Sequence, residues 1–392
     1  MNAPSDTVDD HALPVPPKRS SVRAPRRQGL VLRMEQRLLC GLVENLAPPN
    51  HSATTVEHGN RTKARAICDH VYSCQGDWLN EPTLRLLDFY HLINDDARLL
   101  CWLARRRLIS NQMRCNKSGC DSPLFLTPDR ANMDGWSWHC GHCRRRRSIR
   151  HQSIFAHSNL PIKIATQILF LWSVGHPEEL IAFDAGTSTQ DADDWLHCIR
   201  EVCRETNTSI RERIGGIEVE GNGNEPGYCR VVEVDESMFS CWLRDPKSGP
   251  ILRKIWLLGG VERGTERVFL TRCPKNARDA SSLIPIIRDF VKPETAIITD
   301  EWEGYASLGR LPEGYQHYVT DRTKGIVCPD QSAVHIQKIT GQWSHWKRSF
   351  ESLNGTRADE FEARLDEFLW RMRHSKSILQ SFCYSVTFIF KV

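Results

Sequence analysis

Two short runs of β-branched and apolar residues in this chain each end in an aspartate. Val231–Ser237 presents Asp235, and Ala296–Asp300 presents Asp300. Two strands that each deliver an aspartate can place two carboxylates side by side on one sheet. Carboxylate oxygens are the ligands that hard cations such as Mg²⁺ prefer. The pair therefore predicts a sheet built around a divalent-cation site.

The segments around these runs predict the fold class. Three strands at about 230–242, 251–262 and 268–273 are separated by short turns, which is typical of an antiparallel meander. A helix at about 278–291 and a strand at 295–300 follow. This βββαβ order is the ribonuclease H-like arrangement with a mixed sheet. With 392 residues, the chain is expected to be an α+β multidomain protein.

Positive charge is concentrated in one part of the chain. Residues 105–163 contain twelve Lys or Arg against three acidic residues, whereas the whole chain carries only +4. A basic segment on a nearly neutral chain indicates a polyanion partner, most simply nucleic acid. The alternative is an ordinary solvated basic surface.

Cysteine usage and hydropathy bear on the compartment. The fifteen cysteines are scattered, and no apolar signal segment follows Met1, which favours a reducing, intracellular location. No apolar run approaches the ~20 residues of a membrane span, so no membrane contact is expected. Lys18–Arg19 and Arg26–Arg27 could form a nuclear-import signal in a eukaryote, or simply belong to a flexible basic tail.

Four cysteines form two close pairs, Cys115 with Cys120 and Cys140 with Cys143. Two such pairs joined by a hairpin predict a closed, structural zinc ribbon, and the alternative is chance spacing of free thiols. Arginines follow the last cysteine directly, at positions Arg144, Arg145, Arg146, Arg147 and Arg150. We expect them to bind DNA phosphates without reading sequence.

The remaining segments predict the domain boundaries. Residues 63–110 have a helical pattern, either a DNA-binding helical pair or a plain packed hairpin. Residues 155–210 predict a helix-turn-helix, or alternatively a small helical connector. The zinc ribbon spans 111–150 and the RNase H-like domain 229–375. A disordered basic tail and linker at 1–62, a glycine-rich linker at 215–228 and a C-terminal tail at 376–392 complete the prediction.

In this order, the motifs resemble the DDE transposases of the Merlin group of cut-and-paste DNA transposons and of related bacterial insertion sequences. The resemblance covers roughly residues 80–375 and includes the cysteines, the arginines and both aspartate runs. Further matching segments are Gly304–Tyr305, His335–Trp343, Lys347–Arg348 and Glu367–Arg371.

The resemblance implies a function. It predicts a DNA transposase with structural Zn²⁺ and with catalytic Mg²⁺ or Mn²⁺ held by Asp235 and Asp300. DNA, as transposon ends and as target, would be the partner, with a homo-oligomer in a synaptic complex. Lys347 and Arg348 would add contacts to DNA.

The chain departs from the family at the third metal ligand. The family's last block reads approximately His-x-x-x-Ile-Glu-x-x-Trp on a helix, and here Thr340 stands where the glutamate is expected. A neutral hydroxyl is a poorer Mg²⁺ ligand than a carboxylate. Glu236 and Glu301 adjoin the two aspartates, but neighbouring strand residues point to opposite faces, so neither is expected to replace the glutamate.

Three functions of different class follow from this departure. In the first, the chain is an active or weakly active DDE transposase, and in the second it is a degenerate or domesticated descendant that binds DNA without cutting it. The third interpretation is a binding module in which Asp235 and Asp300 are ordinary strand-end residues.

Overall fold

The computed structural model describes residues 64–73, 77, 81–209, 213–218, 228–245, 247–265, 267–320, 327–328, 331–351, 357 and 360–390. The tail predicted at 1–62 and most of the linker predicted at 215–228 lie outside these residues.

The first described helices form a pair. Helix α1 (Leu86–Ile93) is followed by α2 (Asp96–Arg105). The carboxylate of Asp95 caps α2 by accepting a hydrogen bond from the amide of Arg98 at 3.1 Å. The pair buries Phe89, Leu99, Leu100 and Leu103.

A small antiparallel sheet of three strands comes next, formed by β1 (Leu124–Pro128), β2 (Trp136–Cys140) and β3 (Arg146–Ser148). Leu126 of β1 pairs with Trp138 of β2. Both side chains are buried in the core that the helices share, so this sheet is packed against the helical part of the chain.

Three further helices complete the same core. They are α3 (Ile162–Ser173), α4 (Glu178–Ala185) and α5 (Thr189–Ser209). Helix α4 ends at Gly186, whose φ of 67° is the left-handed conformation that closes many helices at little cost for glycine. The sequence-based prediction of helix, short helix, turn and longer helix agrees with these elements.

The second half of the chain is built on a mixed sheet of five strands. After the short β4 (Ile217–Glu218) and β5 (Tyr228–Cys229), the chain forms β6 (Val231–Asp245), β7 (Gly249–Glu262) and β8 (Val268–Arg272) as an antiparallel meander. Helix α6 (Ala280–Phe290) then leads to β9 (Ala296–Asp300), which lies parallel to β6. Strand β10 (Gln316–Thr320) adds to the edge, giving the order β10-β9-β6-β7-β8. This sheet is compatible with the predicted RNase H-like core.

Both faces of the sheet are covered, as the alternation of side chains along a strand requires. Val232 and Val234 pack with α6 residues such as Leu283 and Ile287 on one face. Helix α7 (Gln337–Glu351), which follows β11 (Val327–Cys328) and β12 (Gln331–His335), covers the other face with Ile339, Trp343 and Trp346.

Two C-terminal helices, α8 (Phe361–Arg373) and α9 (Ile378–Ile389), change the predicted boundaries. In α8, Leu365 and Leu369 pack under the sheet, whereas Trp370 lies in the helical core. The segment predicted as a C-terminal tail at 376–392 contains α9, whose Phe382, Cys383 and Val386 are fully buried in that core. The apolar residues of this segment follow helical spacing and supply the packing surface.

Within the described ranges, no helix combines the length and the apolar character needed to cross a membrane.

Candidate active site

The parallel register of β6 and β9 brings the two predicted aspartates together. Val231, Val232 and Glu233 pair with Ala296, Ile297 and Ile298. Two residues further along each strand, the same register leads to Asp235 and Asp300. Both carboxylates are buried. The predicted juxtaposition of Asp235 and Asp300 is therefore present in the fold.

Glu236 joins this pair, contrary to the sequence-based expectation. Carboxylate oxygens of Asp235, Glu236 and Asp300 all lie within 4.8 Å of one another. The described pairing of β6 with β9 ends at Glu233, so Asp235 and Glu236 lie just beyond it. The glutamate side chain is longer than that of aspartate, so Glu236 reaches the two aspartates although it follows Asp235 directly in β6. The rule that neighbouring strand residues point to opposite faces did not predict this contact. We call Asp235, Glu236 and Asp300 the carboxylate cluster.

Two side chains hold the carboxylate of Glu236. The hydroxyl of Tyr305 donates a hydrogen bond to it, and Arg278 donates another at 3.1 Å. The Arg278 guanidinium lies between the rings of Trp256 and Trp302, 4.2 and 4.1 Å from their centroids. Burial, together with the charge of Glu236 and its hydrogen bond, raises the pKa of Tyr305 well above its usual range. Tyr305 therefore donates to Glu236 as a neutral hydroxyl.

The carboxylate cluster has the chemistry of a divalent-cation site. Its members are between 4% and 7% exposed, and charges buried so close together require compensating positive charge. Arg278 supplies one positive charge at Glu236. Oxygen donors gathered within 4.8 Å fit the ligand preference of Mg²⁺ or Mn²⁺ and could hold such an ion.

Thr340 forms its hydrogen bond at the start of helix α7. It lies in the first turn of α7, is exposed, and its hydroxyl donates to the carbonyl oxygen of Ile336 at 2.8 Å. Helix α7 instead meets Asp235 through Trp343, whose indole N–H donates to the Asp235 carboxylate at 3.0 Å. The face that carries Thr340 and Lys347 is exposed to solvent.

Glu233 is a structural acid of the site that the sequence reasoning did not single out. It is fully buried, and its carboxylate accepts from the amide of Ile339 at 2.9 Å and from Arg263 at 2.7 Å. The first turn of a helix leaves amides unsatisfied, and a carboxylate there is favourable. Glu233 thus fixes the start of α7 against β6, two residues before Asp235. In the sequence, Glu233 and Asp235 are acidic residues at alternate positions of one strand, and this pattern could have identified Glu233.

The four cysteines predicted to bind zinc also come together. Their sulfur atoms lie within 4.8 Å of one another, with Cys115 to Cys143 at 3.4 Å and Cys120 to Cys140 at 3.6 Å. Tetrahedral zinc with Zn–S bonds of about 2.3 Å requires sulfur separations of about 3.8 Å. The amide of Cys143 points at the Cys140 sulfur at 3.4 Å, as it would toward a metal-binding thiolate. The cluster could hold a metal ion.

The arginines after the cysteines divide into two groups. Arg144, Arg145 and Arg146 are exposed and Arg147 is partly buried, as a phosphate-binding surface requires. Arg150 is different, because its guanidinium is buried and binds both oxygens of Asp134, at 2.5 and 2.6 Å, and two backbone carbonyls. Arg150 therefore joins the small sheet to the start of α3, and these internal contacts do not favour the DNA binding predicted for it. Lys347 and Arg348 are exposed on α7.

The helices predicted as a helix-turn-helix are present, but their charge opposes DNA. Residues 155–210 contain eight acidic and three basic residues. Exposed or partly exposed Asp191, Asp193 and Asp194 occupy the start of α5, the part of a recognition helix that meets base edges. The helical-connector alternative fits these charges better.

Comparison with known proteins agrees with the site. Residues 232–373 match the family described as the ISXO2-like transposase domain. An uncharacterized transposase-like protein of Haemophilus influenzae is 29% identical over 97 residues, which is 25% of this chain and 75% of that protein. Both similarities support a DDE transposase family for the domain that carries the carboxylate cluster.

Proposed function

We propose that this chain is a transposase-derived, DNA-binding protein in which the carboxylate cluster performs metal-dependent phosphodiester chemistry. The ancestral reaction would be cut-and-paste transposition of the Merlin type, with hydrolysis at the transposon end followed by strand transfer into target DNA. The observation that carries the proposal is the gathering of three buried carboxylates within 4.8 Å, inside the segment that resembles transposases.

Asp235, Glu236 and Asp300 would hold Mg²⁺ or Mn²⁺ in this proposal. When bound, such ions activate water or a terminal 3′-hydroxyl and stabilise the leaving oxygen. The chain's own contribution is orientation. Trp343 fixes the Asp235 carboxylate, while Tyr305 and Arg278 fix that of Glu236. Glu236 supplies the third acidic group that Thr340 does not.

DNA would be bound by the exposed arginines Arg144, Arg145, Arg146 and Arg147, together with Lys347 and Arg348. Phosphate contacts of this kind set position without reading sequence. The cysteine cluster would hold structural Zn²⁺ and so fix the strands from which the arginines extend. Pairing of two chains in a synaptic complex belongs to the same proposal.

A second function is favoured by Thr340. Its hydroxyl is used within α7, so a descendant that binds DNA without cutting it is the alternative. In the first proposal, by contrast, Glu236 is the third acidic metal ligand, so the chain keeps its cleavage activity.

Nicking of supercoiled plasmid in Mg²⁺ or Mn²⁺ separates the two. The first proposal expects nicking by the natural sequence and its loss in Asp235→Ala. Glu301→Gln is the matched control, because this exposed acid adjoins Asp300 and should leave nicking unchanged. A silent natural sequence that binds DNA, with activity appearing only in Thr340→Glu, would establish the inactive alternative.

A further inference from the structure

The hairpin of β6 and β7 extends beyond the sheet. The two strands pair from Val232 with Glu262 as far as Asp245 with Gly249. Strand β8 pairs with β7 only at Leu257–Val261, and β9 pairs with β6 only at Val231–Glu233. Residues 238–256 are therefore a hairpin projection that starts next to the carboxylate cluster. A bridge between Arg244 and Arg357 and hydrogen bonds of Asn276 with the backbone of Trp256 and Lys254 lie along its edges.

One face of the projection is anchored. Phe239 and Leu243 are buried against α7, and the ring of Phe239 packs edge-on against Trp343, 5.8 Å between centroids. The hairpin is therefore held in a fixed direction by the same helix that contacts Asp235.

The opposite face carries large side chains in contact with solvent. Alternation along the strands and the register place Met238 opposite Trp256, and Trp242 opposite Leu252. Met238, Trp242 and Leu252 are 38%, 53% and 48% exposed. Lys254 lies between them and is exposed. We call these residues the hairpin strip: Met238, Trp242, Leu252, Lys254 and Trp256.

The hairpin strip is continuous with the carboxylate cluster. Glu236 precedes Met238 on the same face of β6, and Trp256 stacks on Arg278, which donates to Glu236. A polymer chain lying on the strip would therefore reach the carboxylate cluster at Glu236.

The positive charge of the projection favours a polyanion as its binding partner. Residues 238–256 include Arg244, Lys247, Arg253 and Lys254 against the single acid Asp245. The Asp245 carboxylate accepts hydrogen bonds from the amides of Lys247 and Ser248 at 2.8 and 2.9 Å, so it stabilises the turn between β6 and β7. Protein interfaces tend to exclude lysine from their centres, whereas Lys254 lies within this strip.

We propose that the hairpin strip binds an unpaired DNA strand next to the cleavage site, with a base stacked on Trp242. Aromatic faces beside basic side chains are the usual platform for single strands, because every base offers a π-face and the backbone follows the positive charge. Bases within a duplex are already stacked on one another and cannot use this surface. The inference rests on the proposed function, since it places the substrate strand of the same site.

The test measures binding of full-length protein to two fluorescent DNAs, in Ca²⁺ and without chelator. One is a blunt duplex, and the other is the same duplex with a single-stranded 3′ extension containing 2-aminopurine. The natural sequence should prefer the extended DNA and quench the 2-aminopurine. Trp242→Ala should weaken binding of the extended DNA about tenfold and leave the blunt duplex unchanged. Trp242→Phe should keep most of the preference because a stacking face remains.

Phe183→Ala is the matched control, because Phe183 is an exposed aromatic on α4, 82% exposed, and should change neither affinity. Equal affinity of the natural sequence for both DNAs would overturn the inference while leaving the proposed function intact. Failure to bind either DNA would overturn both. A fall in molecular mass on Trp242→Ala, with unchanged DNA affinities, would identify the strip as an interface between copies of the chain.

Discussion

Glu367→Gln should destabilise the protein strongly, because Glu367 joins the transposase-like domain to the helical core. Its carboxylate accepts from the indole N–H of Trp172 at 2.6 Å, from Arg200 at 3.0 Å and from Arg371 at 2.8 Å. The side chains of Glu367 and Arg200 are only 11% and 4% exposed. Removing one partner of a buried ion pair costs about 3–5 kcal/mol. Arg200 retains Glu178, so we expect about 3 kcal/mol, measured by urea unfolding followed by tryptophan fluorescence.

Glu362→Gln on the same helix is the matched control. Glu362 also pairs with an arginine, Arg272, but the two side chains are 55% and 45% exposed. An exposed pair contributes about 0–1 kcal/mol. Equal losses of unfolding free energy in the two variants would refute the reasoning that burial makes the Glu367 contacts strong.

The stabilisation by Glu367 should depend on pH. Burial raises the pKa of Glu367, but Arg371 and Arg200 outweigh burial and hold it below the usual range. A lowered pKa in the folded protein stabilises it above the unfolded value of about 4.3, and this contribution is lost as the pH falls through the folded value. The difference between the natural sequence and Glu367→Gln should therefore shrink below about pH 4.

Three further outcomes follow from the cysteines and arginines. Purified protein should contain about one zinc per chain, and Cys140→Ser should lose it and lower the melting temperature, as metal analysis and thermal unfolding would report. Replacing Arg144, Arg145 and Arg146 by alanine should weaken DNA binding and reduce the slope of log affinity against log salt by roughly 1 per arginine. Arg150→Ala should instead lower the free energy of unfolding by about 3–5 kcal/mol, because the buried carboxylate of Asp134 would lose its arginine partner. A variant that lost only DNA affinity would contradict the structural role of Arg150.

The sequence predicted the elements that local patterns determine. The strands ending at Asp235 and Asp300, the intervening α6 and the cysteine pairs all lie where β-branched runs, helical periodicity and short spacings indicated. These signals depend on residues close together in the chain, and parallel neighbours on a sheet follow from the βββαβ order.

Features that depend on distant residues were not predicted. Glu236 was dismissed by the alternation rule, since neither the end of the β6–β9 pairing nor the contacts with Tyr305 and Arg278 can be read from neighbouring positions. Arg150 looked like its neighbours in the arginine run, and only the fold brings it to Asp134. The segment around α9 was assigned to a tail because nothing local identifies the core that covers Phe382.

Charge also weighs against the helix-turn-helix interpretation that helical periodicity allowed. Helices α3, α4 and α5 have the lengths of a helix-turn-helix, yet the first turns of α4 and α5 carry Glu178, Glu179 and Asp191. Helical spacing predicts that helices form, whereas the sign of their exposed charge decides what they can approach. We therefore propose phosphate contact for the exposed arginines Arg144, Arg145 and Arg146.

The most direct test of the account is whether the carboxylate cluster binds a divalent cation. Titration of full-length protein with Mn²⁺, followed by the loss of the free-ion electron paramagnetic resonance signal, measures this without requiring catalysis. The natural sequence should bind Mn²⁺, Asp300→Asn and Glu236→Gln should each bind it more weakly, and Glu301→Gln should match the natural sequence. Unchanged Mn²⁺ binding in a chain carrying both Asp235→Asn and Asp300→Asn would contradict the account.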